Sequence, residues 1–194
     1  MGRKRIVTRD AILDAAEEVI RNSHGHQLSL QLVAEAANIT KGSIAHNFRT
    51  KDELLLAVYA RESARFESEA ASVEGAAETV MRERDLGSPH PCRDPVDRIA
   101  GWISATRREN EAMIMKAANL LIHMLPSEPR REMVAASYER MLEGIDTGTP
   151  EGRAAFVAFM AVEGLFLLRG LGLLQLSEAQ WQNYLDTIRD ECLT

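Results

Sequence analysis

Between positions 29 and 51 the chain gathers side chains whose types suit gripping a polyanion rather than making or breaking a bond. Lys41 is a flexible point charge fit for a phosphate, or for guanine O6 and N7 if it reaches inward. Gly42 has no side chain, so a sugar-phosphate backbone or a base edge can come close. Ser43 and His46 can hydrogen-bond to bases or phosphates, Asn47 can do the same or serve a structural hydrogen bond, and Ala45 can pack against a thymine methyl. Ser29 and Thr40 are suited to cap helices, where a hydroxyl and neighbouring N–H groups hold phosphate together. Lys51 offers a second phosphate contact. Arg3, Lys4 and Arg5 form either a basic arm that follows the DNA backbone or enters the minor groove, or a solvated tail.

Other chemistries find less support. His90 and Cys92 suggest a thiol nucleophile, but they sit among Pro89, Pro91 and Pro95 with no third group to orient them. A Gly-rich phosphate loop and a HExxH motif are both missing. The expectation is a protein that is not an enzyme and carries no cofactor and no metal. Cys92 and Cys192 lie outside any CxxC spacing and are expected to be free thiols in a reducing cytosol. The start, MGRKRIVTRD, lacks the apolar core of a signal peptide, and the most apolar stretch, 154–174, is interrupted by Glu163 and Arg169. A cytoplasmic protein with no membrane span is expected.

The net charge of -6 argues against a polyanionic partner until its distribution is considered. Residues 1–51 carry eight basic and five acidic side chains, a surplus of +3, which leaves the remainder at -9. A basic head on an acidic body suits a head that meets phosphate and a body that meets something else.

The elements that must position these residues read as helices throughout. Ala, Leu, Glu and Arg dominate and β-branched runs are scarce. Ile12, Ala16, Val19 and Ile20 form one stripe of a helix over about 8–21. Ser29 caps a short helix to about 37, Asn38 and Ile39 turn the chain, and Thr40 caps a third helix over 41–47. Ile44 and Phe48, one turn apart, face its two neighbours. A fourth helix starts near Lys51, with Asp52 and Glu53 in its first turn, and runs into the 70s. Residues 74–85 read as helical, and Gly87, Ser88 and the prolines that follow read as a loop. Four more helices are expected. One runs from Asp94 or Pro95 to about 108, one from Asn110 to 123 or 124, and one from Ser127 or Pro129 to about 144. The fourth, over about 149–174, is the longest and most apolar of the group. Ser177, with Gln180 completing a capping box, opens a last helix to about 191.

The stretch LSLQLVAEAANITKGSIAHNFRTKDELLLAVY closely resembles the N-terminal signature of the TetR/AcrR family of bacterial regulators. Ile39, Thr40, Lys41, Gly42 and Ser43, and then Phe48, Lys51, Asp52, Glu53 and Leu54, carry the likeness. Ile12, Leu13, Ala15 and Ala16 match the family's first helix. The resemblance covers about 8–60 and implies an all-α protein of about nine helices. A three-helix helix-turn-helix head over 1–50 would bind DNA, and a regulatory body over 51–194 would hold ligand and dimer contacts. It also implies a homodimer whose last two helices pack about a two-fold axis, a small-molecule inducer, and repression at a double-stranded, pseudo-palindromic operator. Ala45 departs from the aromatic, most often tyrosine, that the family carries there. That departure keeps open a helical ligand-binding or interaction protein that has lost DNA binding.

Sequence supports the dimer independently, because the 149–174 helix is apolar nearly all round and Ala154, Ala158, Ala161 and Gly164 would permit close packing. Leu185 and Ile188, with Trp181 and Tyr184, offer a complementary face. Trp102, Met113, Met115, Phe156, Phe159 and Met160 are candidates to line an apolar ligand cavity or to form plain core. Glu163 lies on the Phe156, Phe159 and Phe166 stripe and needs a partner, either Arg169 of another subunit, a solvent-facing gap or a cationic ligand.

Overall fold

The computed structural model describes residues 8–22, 28–78 and 94–193, the side chains of 73–78 excepted. Arg3, Lys4, Arg5, His90, Cys92 and the proline-rich segment between the fourth and fifth helices lie outside these residues. Among the described residues all regular structure is helical: α1 (Arg9–Asn22), α2 (Leu30–Ala36), α3 (Lys41–Ala45), α4 (Lys51–Glu78), α5 (Pro95–Arg108), α6 (Glu111–Met124), α7 (Glu128–Leu142), α8 (Pro150–Gly170) and α9 (Glu178–Cys192).

Local chemistry sets most boundaries. Ser29, Thr40, Asn110, Thr149 and Ser177 each turn a side-chain oxygen onto an orphan N–H at a helix start, and Gln180 closes a capping box with Ser177. Asn38 ends α2 in the left-handed region at φ 54, where a short polar side chain is tolerated. Around it, Ile39 N–H donates to the Ala34 carbonyl and Asn38 N–H to the Glu35 carbonyl, which satisfies the last turn. Thr50, unnoticed in the sequence, caps α4 by accepting from Glu53 N–H at 3.1 Å.

Two helix ends differ from expectation. α8 stops at Gly170, short of Leu174, because Gly172 takes φ 70 and Leu173 N–H closes the last turn onto the Leu168 carbonyl. The apolar run beyond Gly172 imitates a continuing helix and hides the stop. α3 ends at Ala45, and the 74–78 segment belongs to α4.

Two apolar clusters organise the chain. The first joins Ile12, Ala16 and Ile20 of α1, Val33, Ile44 and Phe48, then Leu54, Leu55 and Val58 of α4, and extends to Leu120, Met124 and Val134 of α6 and α7. The second joins Ile99, Ile103, Ile114 and Met141 to Ala155, Ala158, Phe159 and Val162 of α8 and Trp181 and Leu185 of α9. Each fully buried side chain of this size contributes about 1.5–3 kcal/mol. Trp181, Leu185 and Ala158, expected on a dimer face, lie inside their own subunit's core. Gly170 lets α8 meet α6, since a Cβ there would stand 2.5 Å from the Ala118 side chain.

Ion pairs fasten α1 to α4 and α6. Lys116 of α6, only 7% exposed, donates to Glu17 of α1 at 3.1 Å and pairs with Glu62 of α4 at 2.8 Å. Arg61 of α4 donates to the same Glu17 and to Asp14 at 2.8 Å. Burial opposes ionisation of Glu17, but Arg61 and Lys116 outweigh it and hold its carboxyl below the usual range. At the start of α4, Asp52 accepts from Ser127 Oγ at 2.9 Å and pairs with Arg130 Nε at 3.4 Å.

Candidate functional site

The head presents its polar residues by hiding its apolar ones. Ile44 and Phe48 are fully buried, which turns Lys41, Gly42, Ala45, His46 and Asn47 outward, with Ser43 half-buried beside them. Thr40 Oγ1 accepts from Ser43 N–H at 3.2 Å and lies 2.9 Å from Ser43 Oγ. The cap therefore also fixes a hydroxyl of the exposed face. A Cβ on Gly42 would meet only Thr40 Oγ1, at 3.8 Å. Packing within the chain consequently does not require glycine there. Ser29, half-buried, accepts from Leu32 N–H at the start of α2.

Lys51 stands apart from this group. It is half-buried, and burial first and the Arg130 charge second lower its pKa, against a smaller pull from Asp52. Burial first, and then the charges of Lys51 and Arg130, lower the pKa of His123. Two basic residues that sequence reasoning passed over adjoin the face. The Arg9 guanidinium stacks 4.7 Å over the Phe48 ring, and Arg49 is exposed immediately after it. An arginine at the start of α1 gives no sequence signal of meeting the end of α3.

Residues of α4 to α8 line a cavity of about 120 Å³ that opens to solvent on one side. Of the candidate lining residues, Trp102, Met113 and Glu163 border it. Phe159 is core, 5.9 Å from Trp102 ring to ring. Met115, Phe156 and Met160 do not border it, and the latter two are exposed on α8. Tyr59, Phe66, Tyr138 and Phe166 border it instead, so with Trp102 half of the chain's ten aromatics meet here. The 5% aromatic average conceals that concentration.

Glu163 is held within its own subunit. Trp102 Nε1–H and Tyr138 O–H each donate to it at 2.8 Å, and burial raises its pKa against those bonds. Arg169 serves elsewhere, paired with Glu178 at 3.1 Å and stacked on Trp181 at 4.6 Å. Glu109 accepts from Arg65 at 2.9 Å, yet burial together with Glu69 and Glu62 keeps its pKa raised.

A third feature is an apolar outer face on α8 and α9. Phe156, Val157, Met160 and Leu168 are exposed along α8, and Tyr184 on α9. Between the helices, Ala161, Gly164, Leu165 and Ile188 floor a shallow groove. No described helix is long and apolar enough to cross a membrane, and the described residues contain no cluster of three metal-ligating side chains.

Residues 12–58 match the family model for bacterial regulatory proteins of the tetR family. Residues 97–192 match the model for the tetracyclin repressor-like C-terminal domain. Together the two models span well over half of the chain. Among curated proteins none matches significantly. A transcriptional regulator from Rhodococcus sp. RHA1 is similar in structure over 96% of each chain, with a TM-score of 0.66 at 20% identity. A TetR-family regulator from a Rhodococcus species gives 0.68 at 17% identity, over 96% of this chain and 98% of that one. The fatty acid degradation regulator FadR from Bacillus halodurans gives 0.66 at 16% identity with the same coverage. At these identities the likeness establishes the fold.

Proposed function

Since this chain belongs to the TetR family of bacterial regulatory proteins and is a DNA-binding transcriptional regulator, we propose that it is a ligand-responsive repressor acting in the cytoplasm as a homodimer on a pseudo-palindromic operator. In this reading residues 1–50 are the DNA-binding head and 51–194 the regulatory body. One observation carries the reading of the head: buried Ile44 and Phe48 leave Lys41, Gly42, Ala45, His46 and Asn47 facing solvent together. A short helix anchored on one side and polar on the other fits a major groove. Lys41 and the hydroxyls of Ser29, Thr40 and Ser43 meet phosphates or base edges, with Arg9 and Arg49 adding charge beside them. Lys51, partly withdrawn, contributes less. The absence of an aromatic at Ala45 leaves a smaller contact surface than relatives present.

The apolar face of α8 and α9 supports a dimer, because exposed Phe156, Met160 and Leu168 need cover and Gly164 permits close approach. The cavity supports a small-molecule inducer. Ligand binding then shifts the population toward a head spacing that no longer fits successive major grooves.

Titrating the protein onto DNA upstream of its own and adjacent genes, across a salt series, tests the DNA contact. Wild type forms a specific complex at low salt, and removing both Lys41 and His46 weakens it while lowering the salt slope by about 1. A double variant that binds as wild type does would refute the assignment of this face.

A further inference from the structure

Resting on the reading of the cavity as the inducer site, we propose that its ligand is a small organic cation, a one-ring or short-chain ammonium or amidinium. Four carboxylates, Glu62, Glu67, Glu109 and Glu163, border the space against one guanidinium, Arg65. Arg65 is already shared among Glu109 at 2.9 Å, Glu69 at 3.2 Å and Glu62 at 3.5 Å. Lys116, which also holds Glu17 of α1, pairs with Glu62 at 2.8 Å, and Arg140 lies 3.6 Å from Glu67, so both of these carboxylates have counterions. Glu163 has no such counterion: both its hydrogen-bond donors, the Trp102 indole and the Tyr138 hydroxyl, are neutral, and no salt bridge reaches it among the described residues.

Aromatic side chains border the same space. Phe66 and Trp102 meet edge to face at 4.6 Å between ring centres, with Tyr59, Tyr138 and Phe166 completing the wall. A carboxylate beside several rings is the arrangement that receives an ammonium group, through charge on one side and ring quadrupoles on the others. The space of about 120 Å³, which opens to solvent on one side, is of the same order as the ~150 Å³ known to admit benzene, so a single ring or a short chain is the size class. A carboxylate ligand fits worse, since it would compete with Glu109 for Arg65 and face Glu163, which has no counterion.

Calorimetric titration of the full-length protein with three probes of matched size tests this. Benzylammonium carries the charge, ethylbenzene is its neutral isostere, and benzoate is an anionic control. Benzylammonium is expected to bind at least tenfold tighter than either of the others, to lose at least tenfold in E163Q, and to lower occupancy of operator DNA. Ethylbenzene affinity is expected to stay within twofold in E163Q, which also shows that the variant keeps its cavity. Preference for ethylbenzene or benzoate, or benzylammonium binding that ignores E163Q, overturns the cation assignment and leaves the cavity reading standing. Failure of all three probes overturns both. E109Q is the second variant should E163Q unfold, with the same two affinities as its readout.

Discussion

Replacing Gly42 by alanine separates folding from DNA binding because the two are expected to move in opposite directions. Gly42 is the second residue of α3 and is exposed, and a Cβ there meets a single atom, Thr40 Oγ1, at 3.8 Å, an ordinary contact distance. No clash opposes the methyl. In a helix interior alanine is favoured over glycine by about 1 kcal/mol. In the first turn of a five-residue helix, roughly half of that should survive, ~0.5 kcal/mol. For a chain of this size that raises Tm by about 1–2 °C. On DNA the same methyl occupies the gap through which a backbone or base edge approaches, and a loss of about tenfold in operator affinity, ~1.4 kcal/mol, is expected. Thermal unfolding reads the first quantity, and fluorescence anisotropy on labelled operator at fixed salt reads the second. A G42A protein that binds operator as tightly as wild type would refute close approach at this position. A fall in Tm of several degrees would instead show that the chain's own packing demands glycine.

Three further outcomes are expected. K116M leaves Glu17 to Arg61 alone and Glu62 to Arg65 alone and costs about 1–2 kcal/mol of stability, part of it regained when Glu62 becomes glutamine, as chemical denaturation will show. Glu163 has a folded pKa raised above its ordinary 4.5 by burial, so the stability it permits is complete below pH 4.5 and is lost as pH rises through the raised value. Glu17, with a lowered pKa, acts oppositely: its contribution is present above 4.5 and lost as pH falls through the lowered value. The Tm of E163Q relative to wild type should therefore climb as pH rises above 4.5, and a constant difference would contradict a carboxyl whose pKa burial raises. M160E with L168E, each placing charge on the exposed α8 face, should shift sedimentation from dimer to monomer while leaving the far-ultraviolet dichroism unchanged.

The head was legible because its determinants are local. Ser29, Thr40 and the Ile44–Phe48 pair sit within one or two turns of what they cap or bury, and the tightly spaced 39–54 signature carried the family likeness. The body was less legible because its decisive contacts join distant positions. Glu17 and Lys116 are 99 residues apart and Trp102 and Glu163 are 61 apart, so neither pairing leaves a periodic trace. Apolar character alone also failed to sort α8, where Phe159 is core, Phe166 borders the cavity and Phe156 faces outward. Trp181 was assigned outward for the same reason: an apolar residue on a last helix reads alike whether its cover is its own subunit or another.

α4 joins the head and the cavity in one uninterrupted rod. Leu54, Leu55 and Val58 are locked into the first apolar cluster, while Tyr59, Glu62, Arg65 and Phe66 border the cavity over the next two turns. Lys51 and Phe66 are separated by ~22 Å of helix at 1.5 Å per residue. A tilt of about 5° at the cavity end carries the other end through ~2 Å, and two subunits tilting in opposite senses change their separation by ~4 Å, set against a groove repeat of about 34 Å. On the proposed reading, the helix is a lever: a ligand at its cavity end would move the end from which α3 and its exposed face are carried.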